Sequence, residues 1–340
     1  MRIAIVNDMK MAVEILRRIV ASKSPQYEIA WVAYDGKEAV EKCKNDTPDI
    51  ILMDLLMPVL NGAEATQKIM EKSPCGILIV TTSVSTNSAK VFEAMSYGAL
   101  DAVNTPVLGT DGKLEGAAQL LHKLERLEIL CKNSVSKIKP VKSVFPTVTE
   151  KSSDAPYLVA IGSSTGGPAA LAKLLAELPA DFGAAVVIIQ HIDREFVAGL
   201  AEWLGTFTKL KVNLAVEGQT PLPNNIYLAA TNDHLVITSG MKFKYTADPL
   251  ELPYRPSVDV FFESAYSHWP RTGTAIVLTG IGRDGAQGLL ALKNKGWKTI
   301  SQNKESCVVY GMPKAAAEFG ASTIILSPEQ AGQALTKINF

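Results

Sequence analysis

Short apolar runs alternate with amphipathic stripes along most of this chain, the pattern of strands and helices in succession. Residues 3–6 form the first run. Behind it, Ala12, Ile15, Leu16, Ile19 and Val20 recur at three- and four-residue intervals, which predicts a helix with one apolar face. Further runs stand at 29–33, 50–53, 77–80 and 99–103, separated by helix-compatible segments. A last helix is predicted with Leu114, Ala117, Ala118, Leu121 and Leu124 on one face. Five such strand–helix units in succession predict a doubly wound parallel sheet.

From 132 to 154 the periodicity dissolves. Lys132, Lys137, Lys139, Lys142 and Lys151 are interleaved with Ser, Thr, Pro140 and Pro146, the composition of a solvated tether. Beyond it the alternation resumes. Residues 157–161, 184–189 and 274–278 predict buried parallel strands, and 226–229, 235–238 and 241–246 an antiparallel insertion turned at Ser239-Gly240. Ser327-Pro328-Glu329-Gln330 predicts a helix start, with a capping Ser, Pro at the first helical position and Gln three residues on. The expected fold class is therefore α/β. A doubly wound domain of five units spans 1–126, a linker 127–154, and a second doubly wound domain with an antiparallel insertion 155–340.

The 340 residues suffice for two domains with cores of their own. The 34 basic residues balance the 34 acidic ones, which argues against a nucleic-acid partner held by phosphate neutralisation. The longest aliphatic stretch, 184–189, is far too short to span a bilayer, so no membrane insertion is expected. The amino terminus runs straight into Ile3-Ala4-Ile5-Val6-Asn7-Asp8 without a leader pattern. Cys43, Cys75, Cys131 and Cys307 have no metal or redox spacing and read as reduced thiols of a cytoplasmic protein.

In a doubly wound sheet, chemistry gathers at the carboxyl ends of the strands. Asp8 follows the first predicted strand and Asp54 the third, so the fold should bring two carboxylates together, donors suited to Mg2+. Thr81 and Thr82 end the fourth strand, where a hydroxyl could meet a phosphoryl group. The run Asp54-Leu55-Leu56-Met57-Pro58-Val59-Leu60-Asn61-Gly62 resembles the phosphoacceptor loop of two-component receiver domains. That resemblance implies Asp54 as acceptor, Asp8 with Asp54 as Mg2+ ligands, and Thr81 as the switch hydroxyl. Two positions depart from the pattern: Asn7 stands where receivers have a first acid, and Thr105 where they have a Lys before Pro106. Both changes should weaken Mg2+ binding and phosphoryl-linked switching.

Gly162-Ser163-Ser164-Thr165-Gly166-Gly167 lies between a strand and a helix that Pro168 is suited to start. It lacks the Lys of a phosphate loop and the second Gly of a dinucleotide fingerprint. It fits Gly-x-Ser-x-Gly, a serine on a sharp strand-to-helix turn, although a structural glycine-rich turn would explain it too. A serine hydroxyl needs a base. His191 alone among His122, His191, His234 and His268 lies just past a buried parallel strand. Thr279-Gly280-Ile281-Gly282-Arg283-Asp284 supplies an acid at a third strand end; its plainer explanation is the N-cap of a helix over 286–295. The order Ser, His, Asp disfavours the α/β-hydrolase fold.

These segments, with Gln190-His191, Arg255-Pro256-Ser257-Val258-Asp259 and the stretch from Gln302-Asn303 to Met312-Pro313, resemble the CheB family of chemotaxis-type protein-glutamate methylesterases. Asn7, Thr105 and the Asn232-Asp233-His234 turn are most similar to its Wsp-system (WspF-like) branch. The resemblance implies Ser164 as nucleophile, His191 as general base and Asp284 as the orienting acid. It implies oxyanion stabilisation from the backbone at Ile281, with Thr165 assisting beside the nucleophile. Ser163 offers a second, decoy hydroxyl, and Cys307 reads as buried packing. The implied reaction is hydrolysis of glutamyl γ-methyl esters on methyl-accepting chemotaxis receptors, with deamidation of receptor glutamines as a further activity of some members. A CheA-type histidine kinase is the implied phosphodonor, Mg2+ serves phosphorylation alone, and the esterase needs no cofactor. A non-catalytic, receptor-binding module is the competing class; a nucleotide-dependent oxidoreductase lacks the glycine spacing.

Overall fold

The first apolar run becomes β1 (Arg2–Val6), whose residues from Ile3 onward are fully buried because helices cover both faces of a parallel sheet. The computed structural model describes residues 1–82, 87–109, 114–132, 155–252 and 254–338. They divide into two compact units, one ending at Lys132 and one beginning at Ala155.

In the first unit α1 (Lys10–Ala21), β2 (Glu28–Ala33), α2 (Gly36–Asn45), β3 (Ile50–Met53) and α3 (Gly62–Lys72) follow β1. Then come β4 (Gly76–Thr81), α4 (Ser88–Ser96) and β5 (Asp101–Asn104). The strands pair in the parallel order β2-β1-β3-β4-β5, so the ends of β1 and β3 are neighbours. Local chemistry sets the helix starts: the Asp35 side chain accepts from the Glu38 N–H, and Asn61 and Glu64 form a reciprocal capping box.

The end of this unit differs from expectation. Leu114 lies in a two-stranded antiparallel ribbon, β6 (Val107–Leu108) with β7 (Leu114–Glu115), and α5 begins at Ala117 and runs to Lys132. Leu120, Leu124 and Leu127 are its buried leucines, whereas Ala118 is exposed. A helical period counted from Leu114 begins inside a strand, which rotates the apolar face by a residue. Residues 127–132, expected in the linker, are helical; Lys137, Lys139, Lys142, Lys151 and the rest of that segment lie outside the described residues.

The second unit begins with β8 (Tyr157–Ser163), α6 (Gly167–Ala176), β9 (Ala184–Gln190) and α7 (Arg194–Gly205). It continues through β10 (Lys211–Leu214), β11 (Asn225–Leu228), β12 (His234–Ile237), β13 (Phe243–Thr246) and α8 (Val258–His268). β14 (Thr274–Val277), α9 (Ala286–Asn294), β15 (Lys298–Gln302), α10 (Met312–Glu318), β16 (Ile324–Leu326) and α11 (Pro328–Thr336) complete it. Seven strands pair in parallel in the order β10-β11-β9-β8-β14-β15-β16. Only β12 and β13 form the expected antiparallel insertion. The run at 226–229 is instead a strand of the main sheet, with Ile226 opposite Val186, because Ile226, Tyr227 and Leu228 are buried and need cover on both faces. The Ser327–Gln330 capping box starts α11 as read from sequence.

β8 is central, and the chain leaves it toward β9 on one side and reaches β14 on the other. The crevice outside the carboxyl ends of these three strands is where an open α/β sheet offers a site.

Candidate functional site

Ser164 is the first residue beyond β8, in a turn that bends sharply enough to need Gly166 in the left-handed region, at φ +76°. Ser164 is 2% exposed, and its N–H donates to Thr279 O at 3.0 Å, tying the elbow to the β14 side. Gln190, last in β9, clamps it from the other side: its Nε2 donates to Ser164 O at 2.9 Å, and its Oε1 accepts from the Ser163 hydroxyl at 2.6 Å. Ser163 is therefore a fully buried structural donor rather than a decoy nucleophile. Its proton is spent on Gln190.

His191 follows β9, its N–H held by Ser163 O at 2.9 Å, and Asp284 follows β14. The imidazole Nε2 and Asp284 Oδ2 are 2.7 Å apart, with side chains 4% and 7% exposed. β9 and β14 flank β8, so a direct His191–Asp284 contact spans the end of the strand that carries Ser164. Burial raises the Asp284 carboxyl, but bonds from His191 and from the Val258 and Asp259 N–H groups outweigh it and hold the group well below its usual range. An ionised Asp284 can only accept, so Nε2 carries a proton, and in the neutral imidazole the lone pair is then on Nδ1. Among the described residues, neither that buried Nδ1 nor the Ser164 hydroxyl has a hydrogen-bond partner. The alcohol–imidazole contact expected from sequence is thus absent as a hydrogen bond, while the imidazole–acid contact is present. Catalytic bonds of this kind are commonly long until substrate is bound.

Thr165 and Ile281 are buried, and neither backbone N–H is engaged by another described residue. Two free donors at the elbow and the β14 turn are what a developing oxyanion needs.

Sequence reasoning missed the layer behind Asp284. That residue does not cap the helix it precedes through its first turn; α9 has Gly285 as N-cap. It caps α8 instead. Oδ1 accepts from the Ser257 hydroxyl at 2.8 Å and the Asp259 N–H at 3.0 Å, and Oδ2 from the Val258 N–H at 2.7 Å. His234, fully buried, accepts the Ser257 N–H on Nδ1 at 3.0 Å, which joins the β12–β13 hairpin to this network. Tyr254 stacks on His191 with ring centroids 4.5 Å apart and planes 4° from parallel. The available signal is in the Arg255–Asp259 segment, where a Ser before a helix start with unpaired N–H groups is a readable anion grip. Cys307 is pushed up to about 12 by burial, which removes it as a nucleophile near neutral pH.

In the first unit, Asp54 is 5% exposed beyond β3 and accepts the Leu55 N–H at 2.7 Å. The Asn7 amide donates to Asp54 Oδ2 at 3.0 Å while its own Oδ1 holds the Met9 N–H. Burial raises Asp54 to about 6 against the lowering bonds from Leu56 and Leu55, and the Asp8 charge adds to the rise. The group is still mostly ionised at neutral pH. Thr81 is buried, its hydroxyl 3.5 Å from Asn87 Nδ2, and Thr105 Oγ1 is buried without a partner among the described residues. No cluster of three His, Cys, Asp or Glu occurs among the described residues. Mg2+ takes one or two carboxylates and completes its shell with water and phosphate oxygens, so Asp8 and Asp54 fit it as a water-rich site.

Family models match both units: a CheB methylesterase domain over residues 159–335 and a response regulator receiver domain over 3–114. A Pseudomonas aeruginosa protein-glutamate methylesterase/protein-glutamine glutaminase is 51% identical over 340 residues, covering 99% of both chains. A Cupriavidus metallidurans protein of the same name is 51% identical over 326 residues, 96% of this chain and 95% of that one. Among solved structures, the Thermotoga maritima CheB methylesterase catalytic domain matches with TM-score 0.52 and 33% identity, over 54% of this chain and 98% of that one.

Proposed function

The chain belongs to the CheB methylesterase family and carries a response regulator receiver domain, and from that premise we propose that it hydrolyses glutamyl γ-methyl esters on methyl-accepting chemoreceptors through Ser164, His191 and Asp284. The observation that supports this most is the 2.7 Å His191–Asp284 contact, which leaves a basic Nδ1 at the strand end bearing Ser164. Ser164 Oγ attacks the ester carbonyl as His191 Nδ1 takes its proton. The Thr165 and Ile281 N–H groups hold the oxyanion. Collapse expels methanol, which takes the proton back from Nδ1. Water then adds to the acyl-serine with Nδ1 again as base, releasing the glutamate carboxylate and restoring Ser164. Asp284 stays ionised and steadies the imidazolium in both steps. The same groups can deamidate a glutamine side chain, where Nδ1 must deliver its proton to departing ammonia.

The receiver reading places phosphorylation on Asp54, from a CheA-type histidine kinase. Mg2+, held by Asp8 and Asp54, would supply charge neutralisation for the incoming phosphoryl group. Asn7 keeps Asp54 oriented but adds no charge, and Thr81 is the hydroxyl placed to follow the phosphoryl state. Asp54→Ala is expected to abolish acid-labile labelling by acetyl phosphate; equal labelling of the variant contradicts the assignment. No described helix is long and apolar enough to cross a membrane, and a cytoplasmic site of action fits a receptor-tail substrate.

Methanol release from radiolabelled methylated receptor membranes, with and without phosphodonor, tests the activity. Removing residues 1–133 is expected to raise the basal rate if the receiver restrains the esterase. An unchanged rate means that it recruits rather than inhibits.

A further inference from the structure

Asp284 and Asp259 sit at the starts of two packed helices and exchange roles. Asp284, just ahead of α9, grips the first N–H groups of α8, as described above. Asp259, in the first turn of α8, reaches back to α9, where its Oδ1 accepts the Gly288 N–H at 2.7 Å. Each helix is capped by the other's carboxylate. Gly288 makes the approach possible: a Cβ there would lie 2.6 Å from Phe262 Cβ and 3.2 Å from Asp259 Oδ1. The positive ends of both helix dipoles therefore meet two acids in one buried patch.

We infer that Asp259 is a positioning residue for the triad, its carboxylate tying the start of α9 to α8 and so holding Asp284 in register with His191. This rests on the triad reading above. Three features of the patch support it. Asp284 is fastened to α8 partly through the Asp259 backbone N–H, and the Asp259 side chain is fastened to α9 through the Gly288 N–H, so two bonds of one residue tie the helix starts together. The charges facing Asp259 are Asp284 across the helix pair, Glu263 one turn along α8, and His191 through Asp284; His234 reaches the patch only through Ser257. Burial, then the Asp284 charge, push Asp259 up to about 7, against lowering bonds from Gly288 and Gly285, so its charge changes within the working pH range. The two acids have opposite fates in one site: Asp284 stays ionised, and Asp259 is poised to take up a proton.

Asp259→Asn tests this, since the amide oxygen can still cap α9 while the charge is gone. The rate of fluorophosphonate labelling at Ser164 in the full-length protein is measured against pH, alongside thermal melting. The parent profile is expected to carry a limb near pH 7, where Asp259 ionises and its grip on the Gly288 N–H strengthens, and Asp259→Asn is expected to lose that limb. The plateau rate is expected to fall about tenfold as Asp284 loses its register with His191. Asp259→Ser, with a hydroxyl acceptor and no charge, is expected to lose the same limb and serves if the Asn variant does not fold. A lowered melting temperature with a pH profile superimposable on the parent's would reduce Asp259 to a helix cap and overturn the inference. Absence of labelling in the parent protein would instead defeat the triad reading itself, a distinguishable failure.

Discussion

Asp284→Asn is expected to lower kcat for ester hydrolysis by about 10⁴ while leaving a folded protein. Both carboxylate oxygens are fully committed as acceptors, Oδ1 to Ser257, Asp259 and Gly285, and Oδ2 to His191 and Val258. An amide has one oxygen, so an NH2 group must face one set of donors. If it faces Val258, His191 Nε2 can only accept from it, which puts the ring proton on Nδ1, where it blocks abstraction from Ser164. If it faces the Ser257 side, the start of α8 loses its anion and the site loosens. One buried donor left unpaired costs about 1–3 kcal/mol, enough to lower the melting temperature but not to unfold a domain of this size. The parent carboxyl is held below its unfolded value of 3.8, so its stabilisation is fully present above about pH 4 and is lost as the pH falls toward 2. The variant is expected to lack that acid-linked loss. Near-parental methanol release by Asp284→Asn would remove the residue from the mechanism.

Ser164→Ala is expected to have a still larger effect, about 10⁶ in kcat, because no acyl-enzyme can form. Stability should barely change, since the Ser164 hydroxyl has no hydrogen-bond partner among the described residues and the elbow backbone is held by Thr279 O and the Gln190 side-chain amide. Ser163 cannot substitute: its hydroxyl is bound to Gln190 Oε1 and fully buried. Retention of activity in Ser164→Ala would shift the chemistry to another group.

Much of this was legible in the sequence because it is local. The apolar runs of β3 and β9 and the capping residues Asn61 and Ser327 act within a few positions, so periodicity and residue type reveal them. Ser164, His191 and Asp284 could be picked out because each follows a buried strand, and parallel topology puts strand ends on one edge. What escaped was long-range. The strand at 225–228 reads as part of a hairpin until its pairing with β9 is known, and the face of α5 depends on where the preceding ribbon ends. The grip of α8 on Asp284 joins residues 25–27 positions apart. The stacking of Tyr254 on His191 has no periodic signature at all. The direction of the imidazole, with Nε2 on Asp284 Oδ2 and Nδ1 turned away from the acid, depends on side-chain packing between distant segments, and no spacing rule contains it.

Mapping by mass spectrometry the site and stoichiometry of a fluorophosphonate adduct addresses the central claim most directly. The proposed triad predicts one adduct per chain, on Ser164, formed at a rate that collapses in Asp284→Asn. No adduct, an adduct on Ser163, or labelling indifferent to Asp284 would contradict it.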